Sequence, residues 1–448
     1  MSDIYELEEN GSLVLSFGGQ VPNNIALKCF NAGYKILGTS PLSIDKAEDR
    51  NKFSTLLDKL EIEQPHWQSL RSETDLIKFA TKIGYPVLIR PSYVLSGSAM
   101  NIAYNVTQLK EYIHQATEVS SDHPVVISKF VDNAKEIEID GVGQNGELVI
   151  YAISEHIENA GVHSGDATIV LPPQRLYLET VRQIKMATKK IIKSLQINGP
   201  FNIQFLAKDN KISVIELSLI ASRSFPFVSK VTGYNFVEIA TKVMVGEKIE
   251  GNFETIDLDY VGVKASQFSF NRIKGADPKL RVEMSSTGEV GCFGADLYEA
   301  YLKAIISTGF KIPKKGVLLS IGGEKNKLDF LAAAKDFDLL NLKIYATDNT
   351  AEFLTKMGIK NTRIYKISEK KHPSVLDLLN DGKIDLAINI STPRHTKGET
   401  DGFTIRRTCI DLGIPLITNL QSAEVLATAL KTKKIEDLEI KSWDEYLA

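Results

Sequence analysis

The chain has 448 residues, 43% of them hydrophobic and 24% charged, with a formal net charge of −3. That length predicts two or three globular domains, and the near-neutral charge without a Lys/Arg cluster excludes non-specific nucleic-acid binding. Cys29, Cys292 and Cys409 lie far apart with no Cys-x-x-Cys or Cys/His spacing, which excludes a disulfide scaffold and a zinc site.

The N-terminal MSDIYELEENGS is acidic and has no apolar core, so it reads as neither a signal peptide nor a transit peptide. No apolar run approaches the ~18 residues of a membrane span. A soluble, cytoplasmic protein with no membrane or nucleic-acid partner is expected. A mitochondrial address would require a transit peptide upstream. A strand over 12–17, the Gly18-Gly19-Gln20 turn, a helix over 23–32 and a strand over 35–37 predict half of a Rossmann-like unit. On this reading the chain begins mid-domain. A charged helical region follows over 43–60, opened by Ser43 as N-cap. A helix over 73–83 leads through Gly84-Tyr85-Pro86 into a strand over 87–90.

Strands dominate from there to about residue 220, with helices over 106–116 and 177–194. After Arg90 a Gly/Ser-rich loop, Ser96 to Met100, precedes a strand over 101–104. Small residues let backbone amides approach phosphate oxygens, with Arg90 as a bidentate clamp; an ordinary turn has the same composition. The apolar strand 125–131 and the strand 136–140 flank a short hinge. That pattern suits an adenine edge read by the backbone, with a carboxylate just beyond for ribose hydroxyls. Glu138 and Asp140 read as a solvated acidic face. The densest polar cluster is EHIENAGVHSGD, residues 155–166, where two glycines bracket His163-Ser164. Glu155, His156 and His163 share no helix face, so no metal spacing emerges.

The stretch NIQFLAKDNKISVIELSLIASRSFPF, residues 202–227, reads as two strands joined by a polar turn at 208–211. Alternation lets Ile203, Phe205, Val214 and Ile215 pack while Gln204 and Glu216 project into one cleft beside Arg223. Hard oxygen ligands with a compensating cation suit a Mg²⁺-nucleotide site; a buried Glu–Arg pair in an ordinary hairpin fits the same residues. Residues 246–259 read as a polar surface connection, and a helix is expected over 295–307. Beyond 308–315, strands (316–321, 343–346, 385–390, 415–418) alternate with helices (327–336, 351–357, 375–380, 404–412, 422–430). This predicts a separate doubly wound α/β domain with its boundary near 312. Thr347 and Thr350 follow a strand at a helix start, as an anion seat or as simple caps.

GGQVPNN, GTSPLSIDKAEDR, LIRPSYVLSGSAMN, ISEHIENAGVHSGDAT, GPFNIQF, IELSLIASRSFPFVSK, STGEVGCFG and STGFKIPKKG occur in this order. Together they resemble the C-terminal half of the carbamoyl-phosphate synthetase large chain, of the eukaryotic ammonia or pyrimidine type. The resemblance covers nearly the whole chain. It implies a partial pre-ATP-grasp segment over 1–42, an α+β ATP-grasp domain over 43–311 that phosphorylates carbamate, and a methylglyoxal-synthase-like effector domain over 312–448. Arg50 and Arg90 would hold the nucleotide phosphates under the loop Ser96–Met100. Lys129 and Val131 would flank the adenine, Glu136 would meet the ribose, and Gly161, Val162, His163 and Ser164 would line the nucleotide. Gln204 and Glu216 would bind Mg²⁺ or Mn²⁺. Arg90, Glu216 and Arg223 would be the catalytic residues, acting on ATP and carbamate. Thr347, Thr350, Lys366, Asn389 and Ser391 would bind an effector.

The departures are specific. The family reads E-x-N-x-R-x-x-R after the metal Glu, whereas this chain has Glu216, Ser218, Ile220 and Arg223. Ser218 remains a weak third metal ligand, but Ile220 supplies no charge. The alternative implied is a catalytically degenerate ATP- and effector-binding module. Acetylglutamate-responsive relatives carry a Trp and two Asn where Lys366, Thr392 and Gly402 align, which argues against that effector; Lys366 suits a nucleotide phosphate instead. An upstream synthetase half, with a glutaminase or an ammonia source, would be a required partner.

Overall fold

The computed structural model describes residues 2–8, 11–90, 100–119, 125–392 and 400–447. Of the covering loop, Ser96, Gly97, Ser98 and Ala99 lie outside the described residues. The chain forms two compact units: one runs through Gly161 and resumes over Val170–Asp259, and the other joins Val162–Ile169 to Tyr260–Tyr446. No helix among the described residues is long and apolar enough to cross a membrane.

The first unit opens with two short parallel strands, Leu13–Val14 and Ile36–Leu37, joined through helices Gln20–Asn24 and Ala26–Asn31. The strand expected over 12–17 shrinks to two residues, and the expected helix breaks at Ile25. The region 43–60 is likewise not one helix capped by Ser43. It is Pro41–Glu48 and Arg50–Lys59, parted by extended Asp49, whose carboxylate accepts the amides of Asn51 and Lys52. Proline at the first helical position and a carboxylate cap explain the two starts.

A four-stranded antiparallel sheet follows, in the order Trp67–Leu70, Val125–Lys129, Val87–Arg90, Asn101–Ala103. Helices Glu73–Ile83 and Val106–Val119 cover one face, where Leu76, Ala80, Leu109 and Ile113 pack on Val87, Ile89, Ala103, Val125 and Ile127. Alternation leaves Arg90, Val126 and Ser128 on the other face.

The main antiparallel sheet of this unit carries Lys211–Ser218, Gly199–Lys208, Lys135–Gln144 and Glu147–Asn159 in that order. One face is apolar: Ile137, Ile139, Ile153, Ile203, Phe205 and Val214 pack with helix Leu178–Leu195 and with Phe53 and Leu57. The other face carries Glu136, Glu138, Asp140, Asn202, Gln204 and Glu216. Strict alternation would place Val214 and Glu216 on one face. A β-bulge resolves the conflict, since Gln204 pairs with Glu216 while Phe205 pairs with Val214, leaving Ile215 as the extra residue. Ile215 therefore does not join the core as expected; it is half-buried.

In the second unit, the antiparallel pair Val261–Phe268 and Ser286–Gly294 precedes helix Leu297–Ser307, capped by Asp296. The remainder is a five-stranded, all-parallel sheet ordered Thr362–Ile364, Lys343–Thr347, Gly316–Ile321, Leu386–Ile390, Leu416–Ile417. The helix expected over 327–336 breaks at Phe330 into Glu324–Asp329 and Leu331–Leu339. Phe330 is fully buried at that break.

Candidate active site

Four elements converge on Glu216. Register places it directly opposite Gln204, and both side chains are half-buried. Arg50, the first residue of its helix, donates from Nη2 to Glu216 Oε2 at 2.6 Å and from Nη1 to the carbonyl of Ile215 at 2.9 Å. The bulge is what turns that carbonyl toward the arginine. Arg90 ends its strand and reaches the same carbonyl at 3.4 Å. Its Nε is buried with no hydrogen-bond partner among the described residues. Burial and the neighbouring Arg50 charge push its guanidinium down to about 9, against the pull of Glu216 and Glu136. The expected neighbour Arg223 is exposed beyond the strand end, and Arg50 pairs with the Glu216 carboxylate. The sequence missed this pairing because 166 residues separate the partners.

The acids on the Lys135–Gln144 strand are not solvated. Glu136, Glu138 and Asp140 are 6%, 3% and 0% exposed. Glu138 bonds His156 Nε2 at 3.0 Å and Asn202 Nδ2 at 3.2 Å. Asp140 accepts from Ser222 Oγ, Ser224 Oγ and Asn202 Nδ2 at 2.6, 2.8 and 2.9 Å. Solvation is replaced by a closed network, the condition for burying charge. Alternate acids were legible as one face, but their partners on distant strands were not.

Burial raises the Glu136 carboxyl to about 7, helped by Glu138 and Glu216. Burial and Glu138 raise Asp140 to about 6, against its three hydrogen bonds. For His156, burial acts downward, but the Glu138 bond and the charges of Glu136, Glu138 and Glu158 outweigh it and raise the imidazole. All three groups bind protons more tightly folded than unfolded. These three groups therefore contribute stability at acid pH that is lost as pH rises from about 4.5 through 7. Glu136 alone contributes on the order of 3 kcal/mol to that fall. Urea midpoints at pH 5.5 and 8 check this, and Glu136→Gln should flatten the slope.

Other expected nucleotide residues are placed as follows. Lys129 Nζ donates to the carbonyls of Gly84 and Tyr85 at 2.8 and 3.0 Å, and Val131 is half-buried. Gly161 has φ +115°, and a Cβ there would come within 3.3 Å of the Phe130 ring. Val162, His163 and Ser164 belong to the second unit. There His163 N donates to Arg281 O at 2.8 Å, Gly165 N to His163 Nδ1 at 3.0 Å, and Asp166 accepts the amides of Ser285 and Ser286. The loop is braced by its own unit. Ser218 and Ile220 are half-buried past Glu216.

Among the described residues no group of three His, Cys, Asp or Glu is placed to hold a metal. Gln204 and Glu216 supply two hard oxygens, a set that fits Mg²⁺, which prefers one or two carboxylates completed by water and substrate phosphates.

In the parallel sheet, Thr347 and Thr350 are buried, and neither hydroxyl caps the helix Asp348–Lys356. Thr350 Oγ1 accepts the amide of Ile321 at 3.1 Å; Thr347 Oγ1 lies 3.5 Å from Ser320 Oγ. Lys366 is half-buried, with its amide on Glu369 Oε1 at 3.2 Å. Asn389 and Ser391 both receive Arg406 Nη1, at 2.8 and 2.9 Å. Arg406, 4% exposed, also makes a two-bond pair with Asp277, both at 2.7 Å. Nothing in the helical pattern of 401–411 distinguishes this arginine as buried. Arg406→Ala removes the two-bond partner of Asp277, which keeps Arg281 at 3.6 Å and the Lys279 amide at 3.2 Å, and should cost about 2 kcal/mol. Arg406→Lys should recover little, because an ammonium lacks the planar fork. Denaturant midpoints of the two variants check both.

Comparison with known proteins agrees with this architecture. Residues 49–252 match the family described as carbamoyl-phosphate synthase L chain, ATP binding domain, and residues 329–418 match the MGS-like domain. The multifunctional protein URA2 of Saccharomyces cerevisiae is 50% identical over 96% of this chain and 20% of its own length. The mitochondrial carbamoyl-phosphate synthase [ammonia] of Homo sapiens is 46% identical over 100% of this chain and 30% of its own. The chain thus spans a fifth to a third of such relatives. Among solved structures, a biotin carboxylase from Campylobacter jejuni superposes with TM-score 0.56 at 17% identity, covering 67% of this chain and 75% of that one. The purK N5-carboxyaminoimidazole ribonucleotide synthetase gives 0.54 at 13%, covering 69% and 81%. These two share the ATP-grasp fold. The chain is therefore similar to such relatives along nearly its whole length, and it carries a carbamoyl-phosphate synthase L chain ATP-binding domain over 49–252 followed by an MGS-like domain over 329–418.

Proposed function

We propose that this chain transfers the γ-phosphoryl group of ATP to carbamate, giving carbamoyl phosphate and ADP. The observation that supports it best is the Gln204–Glu216 pair with Arg50 on the carboxylate. A carbamate oxygen attacks the γ-phosphorus, the bond to the ADP oxygen breaks, and ADP leaves with the electron pair. Mg²⁺ held by Gln204 and Glu216, or Mn²⁺ in its place, supplies charge neutralisation for the phosphates. Arg50 and Arg90 bring two fixed cations to the same oxygens, aimed before the reaction begins. Within the first unit, Lys129, Val131, Glu136 and Gly161 seat the nucleoside.

The reaction belongs to residues 43–311, with 1–42 as its buttress and 312–448 as an effector domain. Thr347, Thr350, Lys366, Asn389 and Ser391 form the effector seat. Carbamate comes from an upstream synthetase half fed by a glutaminase or by ammonia, in the cytoplasm or in mitochondria. The test is ATP formation from MgADP and carbamoyl phosphate by the purified chain; turnover supports the reading, and none at saturating substrates removes it.

A second reading rests on Ser218 and Ile220. An apolar side chain at position 220 adds no charge to the site, and one hydroxyl is a poor metal ligand. On that reading the chain binds MgATP without turnover and acts as a regulatory module. Tight MgADP binding with no ATP formation separates it from the first.

A further inference from the structure

Glu48 closes the helix Pro41–Glu48, and Arg50 opens the next helix two residues later. Only Asp49 lies between them, extended at φ −75° and ψ 108°. The direction of the Arg50 helix is therefore set at a one-residue joint. Both oxygens of Glu48 are gripped at that joint. Asn23 Nδ2 donates to Oε1 at 2.6 Å, and Gln20 Nε2 donates to Oε2. The two amides come from the helix Gln20–Asn24, delivered by the Gly18-Gly19 turn, whose φ values of +88° and +78° need glycine.

Asn23 is 2% exposed, and its Oδ1 is buried with no partner among the described residues. Leaving that oxygen unbonded is unfavourable, which the Glu48 contact must help offset. The same segment also touches the other side of the site. Ser16 O accepts the amide of Ala221 at 2.9 Å, just past Glu216, Ser218 and Ile220. One short stretch, 16–23, thus braces both the helix start that carries Arg50 and the chain leaving the Glu216 strand. Arg50 in turn meets Glu216 and Ile215 O through different guanidinium nitrogens, a geometry that a small rotation of the helix start would break.

We propose that Gln20 and Asn23 are positioning residues of the nucleotide site, acting through Glu48 to aim Arg50 at Glu216. This rests on the nucleotide reading above. The experiment uses the full chain with Gln20→Ala and Asn23→Ala combined. Without nucleotide, arginine-selective NMR reads exchange of the Arg50 guanidinium protons, and calorimetry reads MgADP binding. Exchange should quicken and affinity should fall, each about tenfold, the equivalent of one lost hydrogen bond. With Arg50→Lys already present, the double change should weaken MgADP no further. Unchanged Arg50 exchange, or losses that simply add to those of Arg50→Lys, would overturn the proposal. If the double variant fails to fold, Gln20→Ala alone, at a half-buried position, answers the same exchange test. An unaltered chain that does not bind MgADP overturns the nucleotide reading instead, and the exchange measurement still decides the positioning.

Discussion

Glu216→Ala should reduce ATP formation from MgADP and carbamoyl phosphate by about 10²–10³-fold or more, the loss expected when an aimed charge-stabilising group leaves a reaction centre. The fold should barely notice. Glu216 sits at a strand end with a side chain 38% exposed, and its ion pair with Arg50 is correspondingly half-solvated. Such pairs are worth roughly 0–1 kcal/mol. Removing the carboxylate leaves Arg50 its bond to Ile215 O, so no buried charge is stranded. Activity and stability are therefore separable at this residue, unlike at Arg406. Glu216→Gln sharpens the point. It keeps an acceptor for Arg50 but weakens the metal ligand, so its rate should resemble that of Glu216→Ala rather than the unaltered chain. Initial rates at several Mg²⁺ concentrations, with melting curves beside them, check the prediction. Near-normal turnover by either variant would remove Glu216 from the chemistry.

Local patterns made much of this legible. The helix Glu73–Ile83 and the strand Val87–Arg90 match their expected bounds because Ser72 caps the helix and Gly84, at φ +77°, ends it. The parallel sheet followed from strands and helices alternating at regular intervals. What escaped was set by distant partners. The bulge at Ile215 is needed only because Val214 must enter the core while Glu216 stays in the site. The burial of Glu138 and Asp140 depends on His156, Asn202, Ser222 and Ser224, none of them on the same strand. The break at Asp49 hid because a charged run reads as continuous helix until the cap geometry is seen. Arg50 meets Glu216 because its helix and that strand converge in space.

Ser218→Asn combined with Ile220→Arg should raise the rate of ATP formation by about 10²-fold, the converse of removing one aimed donor. Position 218 lies two residues past Glu216 on the same face, opposite Asn202 in the register. An amide there gives the metal a third firm oxygen where a hydroxyl reaches less far. Position 220 is half-buried, and its backbone is held on the C-terminal side: Ala221 N is tied to Ser16 O, and Ser222 Oγ to Asp140 at 2.6 Å. The charge balance also favours the change. Burial and the Glu216 charge hold the Glu48 carboxyl up at about 7, against Arg50 and the amides of Asn23 and Gln20. Burial is the larger cause and the Glu216 charge the smaller. A new guanidinium nearby should draw Glu48 back down. Ile220→Gln, polar but uncharged, should give little of the gain. A double variant that binds MgADP as tightly as the parent yet turns over no faster would show that Ser218 and Ile220 do not limit this site.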